Sequence, residues 1–187
     1  MVGVPGWLQA EVVRLGVDQP SSKWRISRRN ATFELCASYP AFLVVPAALS
    51  DDEIARASEF RSGRRLPVLC WKEPCSGVAI CRSSQPKVGV QMARSNHDER
   101  LLQAILEANA FSDRLHIIDC RPRVNAELNL VKGKGYEHTT LQYRMAKLSF
   151  AGIENIHVVR SSLRAFLNAL QHQYASLSPT SEVDGVS

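Results

Sequence analysis

Apolar residues recur along this chain at the spacings of helices and of strands, and their order predicts an α/β protein. Near the start, Leu8, Val12 and Leu15 fall on one helical face. Pro5 precedes this segment and Gly16 follows it, as is typical of the start and stop of a helix. The first element is therefore predicted to be an amphipathic helix.

Short apolar runs predict four strands, at residues 41–46, 66–71, 77–82 and 115–119. The second and third runs flank a turn at 72–76, so they are predicted to pair as a hairpin. Because a hairpin is antiparallel, it argues against a purely parallel arrangement. The predicted fold class is α/β, with a mixed sheet flanked by helices.

Two further helices are predicted from the polar residues that precede them. Ser50 with Glu53 three residues later matches a capping box. Ser95 with Asp98 opens the next helix in the same way. The apolar stripe of that helix is Leu101, Leu102, Ile105, Leu106 and Ala108.

The last periodic segment predicts a helix that faces the core. Its apolar residues, spaced by four, three, one and three, are Val159, Leu163, Phe166, Leu167 and Leu170. After Gln171 the periodicity stops and the sequence becomes rich in serine. We therefore predict one domain over residues 5–170 and a disordered Ser-rich tail over residues 171–187.

Composition and charge narrow the class of partner. Apolar residues make up 45% of the chain, enough for a globular core, and no run approaches the ~18–20 residues of a transmembrane helix. The N-terminus shows no signal-peptide pattern, and a cytoplasmic protein is expected. The net charge of +5 suits an anionic partner, such as a phospholipid headgroup, a membrane surface or RNA. Solubility alone would explain the same charge.

The five cysteines could in principle bind a metal or act as thiolate nucleophiles. They form no CxxC pair, their spacing does not fit a zinc site, and reduced, mostly buried thiols are expected. A thiolate phosphatase needs a phosphate-cradling loop with Arg six positions after the nucleophilic Cys. The residues six positions after each Cys are Phe42, Ser76, Cys81, Lys87 and Ala126. The chain therefore contains no such loop.

Two loops carry residues of the kinds found in ligand sites. The segment Gly133–Gly135 lacks the spacing of a P-loop, and ordinary turn chemistry explains it better. Asp119 and Arg121 follow a predicted strand, where α/β proteins often place ligand groups. A structural ion pair, or capping of a helix by Asp119 over Pro122, is the alternative that the local pattern favours.

Seven segments between Gly6 and Leu170 together resemble the myotubularin family, which are phosphoinositide 3-phosphatases of the cysteine-phosphatase superfamily. They occur here in the order and approximate spacing of the family. The segments are ELCASYPAFLVVP, EFRSGRRLPVLCW, ICRSSQPKVGV, DERLLQAI, IIDCRPRVNAELN, GKGYE and GIENIHVVRSSL.

The resemblance implies a partial cysteine-phosphatase-like domain that acts on phosphatidylinositol 3-phosphate and phosphatidylinositol 3,5-bisphosphate at endosomal membranes. It implies no metal and no other cofactor. The family's headgroup-contacting positions correspond here to Asn129, Asn155 and Ile156. An Asn side chain can donate hydrogen bonds to phosphate oxygens. With an inositol hydroxyl it can either donate or accept a hydrogen bond.

The sequence departs from the family pattern in ways that bear on activity. It has no room for the family's N-terminal GRAM domain, and it lacks the Cys-Ser-Asp-Gly-Trp-Asp-Arg-Thr segment that supplies the nucleophile and the phosphate-gripping Arg. We therefore expect the N-terminal half of a phosphatase domain that is inactive by itself. The alternative is a non-enzymatic module that binds and regulates active myotubularin relatives. Nucleic-acid binding ranks last, because no aromatic RNA-binding motif is present.

Overall fold

The computed structural model of the chain describes residues 5–109 and 111–177, which form five helices, six strands and a short 3₁₀ turn at Ser62–Arg64. The helices are α1 Gly6–Arg14, α2 Asp51–Glu59, α3 Asn96–Glu107, α4 Arg123–Val131 and α5 Ile156–Leu177. The strands are β1 Trp24–Ser27, β2 Leu43–Pro46, β3 Val68–Lys72, β4 Ala79–Arg82, β5 Leu115–Asp119 and β6 Ala146–Phe150.

The strands pair in mixed directions, as predicted, but they form three two-stranded sheets. β1 and β2 are antiparallel, and so are β3 and β4, which confirms the predicted hairpin. β5 and β6 are parallel, with Leu115 opposite Ala146. The pattern missed β1 and β6, because each is only four or five residues long and carries polar side chains on one face.

The core lies between α1, β2, α2 and α3. Leu8, Val12 and Leu15 are buried, which confirms the predicted face of α1. Helix α3 packs against α2 and also contacts β2 and β5. The buried apolar positions of α3 are Leu101, Leu102, Ala104 and Ile105, whereas Leu106 and the C-cap residue Ala108 are only partly buried.

The two predicted caps are confirmed. Ser50 Oγ accepts the backbone N–H of Glu53 at 3.3 Å, while Glu53 Oε2 accepts the backbone N–H of Ser50 at 2.8 Å. At α3, Ser95 Oγ accepts the backbone N–H of Asp98 at 3.3 Å. Both helices therefore begin where the sequence predicts, because a short polar side chain satisfies an N–H group that has no intrahelical partner.

The predicted burial of α5 is wrong for the described residues. The helix itself is confirmed, but it continues to Leu177 rather than stopping near Gln171, and residues 178–187 of the predicted tail lie outside the described residues. Its apolar face is exposed, with relative accessibilities of 47% for Val159, 57% for Leu163, 61% for Phe166 and 47% for Leu167. Periodicity defines a face, but it does not supply the element that covers it.

A buried asparagine organises the long connection between β1 and β2. Asn30 Nδ2 donates to the backbone oxygens of Cys36, Tyr39 and Pro40, and Asn30 Oδ1 accepts the N–H of Cys36 at 2.9 Å. Of the five cysteines only Cys36 is buried. The expectation of mostly buried thiols was therefore wrong, because an apolar run on a two-stranded sheet leaves one of its faces in solvent.

Candidate functional site

The parallel pair β5–β6 defines one edge from which two helices start. The backbone N–H of Ala151 donates to the oxygen of Asp119 at 2.8 Å, and that of Ile153 donates to the oxygen of Cys120 at 2.8 Å. These bonds extend the pairing past both strands. Helices α4 and α5 therefore begin at the same carboxyl-terminal edge, where α/β proteins commonly hold ligands.

Arg121 fixes the geometry of this edge. Its guanidinium makes a two-pronged ion pair with Asp119, with Nε–Oδ1 at 2.9 Å and Nη2–Oδ2 at 2.6 Å. It also donates to Gln85 Oε1 at 2.5 Å and to the backbone oxygen of Gly135 at 2.9 Å. The predicted ion pair is confirmed, whereas capping by Asp119 is wrong because Pro122 occupies the N-cap of α4 without a side-chain bond.

The Gly-Lys-Gly segment is a turn held close to a second turn. The backbone N–H of Gly89 donates to the oxygen of Lys134 at 2.9 Å, and a Cβ placed on Gly89 would lie 3.2 Å from Gly133 Cα. At Gly135, where φ is +146°, a Cβ would collide with Leu130 Cδ2. A φ of +69° explains Gly133, and the contact with the Leu130 side chain together with its φ explains Gly135, which confirms turn chemistry over a P-loop.

The structure places the three predicted contact residues on α4 and at the start of α5. Asn129 lies in the second half of α4, and its Nδ2 donates to the backbone oxygen of Asn125 at 2.6 Å. Asn155 Oδ1 accepts the N–H groups of His157 and Val158 at 2.9 and 3.3 Å, so it caps α5. Ile156 begins α5 with an exposed side chain. Among the described residues, no hydrogen bond joins Asn129 to Asn155.

A buried charge network beneath the edge was not predicted. Arg61 is fully buried and donates from Nε and Nη2 to Asp98 at 2.6 Å, from Nη1 to Glu137 Oε1 at 2.5 Å and to the oxygen of Ser84 at 3.1 Å. Tyr143 donates its hydroxyl to Asp98 Oδ2 at 2.8 Å. The network joins α3 to the loop before β6, so it ties the edge to the core.

Electrostatics keep Arg61 protonated and Tyr143 neutral. Burial lowers the pKa of Arg61, but the carboxylates of Asp98 and Glu137 raise it by more, so the net shift is upward. Burial, followed by the negative charge of Asp98, raises the pKa of Tyr143, which keeps its hydroxyl a donor. No local signal marks Arg61 in the sequence, because Asp98 and Glu137 lie 37 and 76 residues away.

A cleft of about 420 Å³ opens at the end of β5. It lies between the 3₁₀ turn, the segment that follows β4, and the segment after β5. Its lining residues are Ser62, Arg65, Ser83, Ser84, Gln85, Ile117, Ile118, Asp119, Cys120, Arg121, Lys134 and Glu137. None of the three predicted contact residues lines this cleft, but Asp119 and Arg121, which the sequence pattern offered as ligand groups, do. Its walls come from segments far apart in the chain.

Within residues 5–109 and 111–177, no group of His, Cys, Asp or Glu side chains is placed to hold a metal ion. In the same residues, no helix combines the length and apolar character needed to cross a membrane.

Comparison with known proteins gives the class. A model of the myotubularin-like phosphatase domain matches residues 6–185, which is most of the chain. The chain therefore belongs to the myotubularin-like phosphatase family.

Individual relatives agree with this class. The chain is 50% identical over 155 residues to phosphatidylinositol-3,5-bisphosphate 3-phosphatase MTMR2 of Bos taurus, covering 83% of this chain and 24% of the relative. It is 51% identical over 145 residues to myotubularin of Rattus norvegicus, covering 78% of this chain and 24% of the relative. It is 42% identical over 177 residues to phosphatidylinositol-3-phosphate phosphatase MTMR7 of Homo sapiens, covering 92% and 26%. The chain spans about a quarter of the length of these relatives.

Proposed function

We propose that this chain forms the N-terminal part of a 3-phosphatase domain for phosphatidylinositol 3-phosphate and phosphatidylinositol 3,5-bisphosphate. The observation that carries the proposal is the family match over residues 6–185. It is supported by 50% identity to a relative named for the bisphosphate and by 42% identity to one named for the monophosphate. The net charge of +5 suits an anionic lipid substrate.

The proposed contacts to the lipid headgroup are Asn129, Asn155 and Ile156. Capping uses the Oδ1 of Asn155 and leaves its NH₂ group to donate to an oxygen of the headgroup. The intrahelical bond of Asn129 uses Nδ2 and leaves Oδ1 to accept from an inositol hydroxyl. Helix α5 also directs the positive end of its dipole towards Asn155, which favours a phosphate there.

Flotation with liposomes tests these contacts. Asn155→Ser keeps a capping side chain but removes the amide donor, whereas Asn155→Ala removes both. We expect both variants to bind liposomes containing phosphatidylinositol 3-phosphate about tenfold more weakly than the unmodified chain, since a bond to a charged group contributes roughly 1.5–3 kcal/mol. Liposomes with unphosphorylated phosphatidylinositol are the control. Unchanged binding by both variants would remove Asn155 from the proposal.

Catalysis by this polypeptide alone is not proposed. In the family reaction, a Cys thiolate attacks phosphorus of the 3-phosphate, the inositol oxygen leaves, and water then hydrolyses the phospho-cysteine. No Cys in the 187 residues has Arg six positions later. Without that pair, we expect no phosphate release from phosphatidylinositol 3-phosphate. Release above background that disappears when one of the five cysteines is mutated would overturn this expectation.

The proposed location is the cytoplasm, with peripheral attachment to endosomal membranes. It follows from the proposed lipid ligand, which would recruit the chain to membranes that contain it. A fluorescent fusion should therefore leave endosomes when phosphatidylinositol 3-phosphate is depleted. Persistent endosomal attachment after depletion would show that the lipid does not recruit the chain.

The second candidate function is a non-enzymatic module that binds and regulates active myotubularin relatives. The exposed apolar face of α5 favours it, because contiguous apolar surface commonly marks an interaction site. Co-purification with a full-length relative tests this candidate function. The double variant Leu163→Ser, Phe166→Ser should abolish the co-purification. A matched variant on the polar side of α5, Arg164→Ser with Asn168→Ser, should leave it intact.

A further inference from the structure

The cleft at the end of β5 has a rigid frame. The backbone N–H of Ser62 donates to the oxygen of Gln85 at 3.0 Å, and that of Ser84 donates to the oxygen of Arg65 at 2.9 Å. Ser84 Oγ donates to the oxygen of Ser62 at 2.6 Å. Arg121 then joins Gln85 to the Gly135 turn. The walls are therefore fixed to one another before any ligand arrives, which lowers the entropy cost of binding.

The charges around the cleft sum to +1, because the single Arg61 is shared by the carboxylates of Asp98 and Glu137 while, among the described residues, Arg65 and Lys134 have no carboxylate partner of their own. Asp119 is paired with Arg121, and Glu137 is paired with the buried Arg61. Within the described residues, Arg65 and Lys134 make no ion pair, although both line the cleft. Arg65 uses only Nε in a hydrogen bond, to Ser38 Oγ at 2.7 Å. Its two terminal nitrogens remain as donors that match the oxygens of an anion.

A buried hydroxyl provides an independent observation. Ser62 lines the cleft, and its Oγ is shielded from solvent and has no hydrogen-bond partner among the described residues. Leaving such a group unsatisfied costs free energy, so its partner is expected to be something that enters the cleft. Two cations and an unpartnered hydroxyl around one small cavity suit a tetrahedral oxyanion with several acceptor oxygens.

We propose that this cleft is a phosphate-binding site, separate from the Asn129, Asn155 and Ile156 positions and independent of the proposed 3-phosphatase function. The ligand is a phosphate group, either free or carried by a monoester such as a lipid headgroup. Arg65 and Lys134 supply the positive charge, and the hydroxyl of Ser62 donates a hydrogen bond to the phosphate. The Asp119–Arg121 pair fixes the cleft wall by bonding Gln85 and the Gly135 turn.

Titration with inorganic phosphate, at ionic strength kept constant with chloride, tests the site. We expect saturable binding that weakens about tenfold in Arg65→Gln and in Lys134→Gln, the size expected for losing one charge-assisted hydrogen bond. The matched controls are Arg64→Gln and Lys132→Gln, which remove the same charge from neighbouring residues outside the lining. Lack of saturable binding, or equal weakening in the controls, would overturn the proposal.

A thiol readout tests the same site without changing a charge. Cys120 is exposed and lines the cleft, whereas Cys75 is exposed in the hairpin turn outside it. Bound phosphate should slow alkylation of Cys120 by iodoacetamide at least about tenfold when most sites are occupied, and it should leave Cys75 unchanged. Equal rates at Cys120 with and without phosphate would contradict the proposal. Because this assay uses the unmodified chain, misfolding of a variant cannot confound it.

Three ligands distinguish the source of the phosphate. Inorganic phosphate, soluble inositol 3-phosphate and liposomes with phosphatidylinositol 3-phosphate are compared as protectors of Cys120. Protection by the first two at similar concentrations supports a site for phosphate groups in general, and protection by inositol 3-phosphate at a much lower concentration than inorganic phosphate assigns the site to the headgroup. Protection by liposomes alone would indicate that the membrane surface covers Cys120, and it would overturn the proposed phosphate site. Asn155→Ser should not change protection by inorganic phosphate, so failure of the lipid contacts and failure of this site are separable.

Discussion

Helices α3 and α5 carry similar apolar stripes, yet the structure treats them differently. On α3, Leu101 is 0% exposed because α2, β2 and β5 pack around it. On α5, Leu163 and Phe166 are 57% and 61% exposed, and no described element covers them. The difference teaches that an apolar period specifies a helix and its interacting face, whereas neighbouring elements decide whether that face contributes to stability.

The two regions should therefore respond differently to the same kind of mutation. Full burial of a leucine side chain stabilises a fold by about 1.5–3 kcal/mol relative to exposure. Each buried leucine or isoleucine in the stripe of α3 adds a stabilisation of this size. The exposed stripe of α5 adds little to the free energy of unfolding of the core. Four predictions test this contrast, from the largest expected effect to the smallest.

The largest effect is expected from Arg61→Leu, in the network that ties α3 to the β5–β6 edge. The change leaves the buried carboxylates of Asp98 and Glu137 without their cation, which should lower the free energy of unfolding by about 3–5 kcal/mol. Urea denaturation followed by circular dichroism measures it. Arg64→Leu is the control, since Arg64 is exposed and lies 3.9 Å from Glu59. Similar losses in both variants would show that the network does not hold the regions together.

The second prediction compares the two stripes directly. Leu101→Ala should lower the free energy of unfolding by about 2–5 kcal/mol, because it opens a cavity in the core. Leu163→Ala should change it by less than about 0.5 kcal/mol, because its side chain is exposed. Both values come from urea denaturation of the same chain. A loss above ~2 kcal/mol for Leu163→Ala would indicate that a covering partner is present in solution.

The third prediction compares the caps. Ser50→Ala removes the cap of α2, which packs in the core, and should lower the free energy of unfolding by about 1 kcal/mol. Asn155→Ala removes the cap of α5 and should reduce helical signal while leaving the unfolding midpoint nearly unchanged. Circular dichroism at low and at increasing urea separates the two effects. An equal midpoint shift would mean that α5 unfolds together with the core.

The smallest effect concerns pH. Burial lowers the pKa of His138, whose ring lies 5.0 Å from that of Tyr136. The folded chain therefore favours the neutral imidazole, and the unfolded chain binds the proton more readily. The stabilising contribution is present above the unfolded pKa, near 6.5, and is lost as the pH falls through the lower, folded pKa.

A pair of variants checks this sign. His138→Gln should flatten the fall in stability between neutral and mildly acidic pH. His172→Gln, on the exposed α5, is the matched control. Stability is measured as the midpoint of urea denaturation at each pH. If His138→Gln leaves the slope unchanged, or makes it steeper, the assigned direction is wrong.

Local signals accounted for much of the fold. The helices α1, α2 and α3, the two caps and the hairpin were predictable, because each depends on residues within a few positions of one another. The strands β1 and β6 were missed, since a short strand on a two-stranded sheet leaves only a weak pattern. The resemblance to the myotubularin family, carried by seven collinear segments, was confirmed by the family match.

The site features, like the elements of the fold, were predictable where they depend on neighbouring residues and not where they depend on distant ones. The ion pair of Asp119 and Arg121 was among the local alternatives because its members are two residues apart. The Arg61 network was not predicted, and of the cleft only Asp119 and Arg121 were considered as ligand groups, because the other members come from segments separated by tens of residues. The headgroup role of Asn129, Asn155 and Ile156 stays a prediction from family resemblance. Their local bonds leave that role possible without requiring it.

The sequence by itself determined the family, the helices α1, α2 and α3, the hairpin and the caps, because these depend on residue type and short-range spacing. Only the tertiary structure decided that Arg61 is buried between two carboxylates, that Arg65 and Lys134 share a cleft, and that α5 exposes its apolar face. The physical reason is that burial and pairing depend on which distant segments meet. A periodic pattern specifies a surface, but not its neighbour.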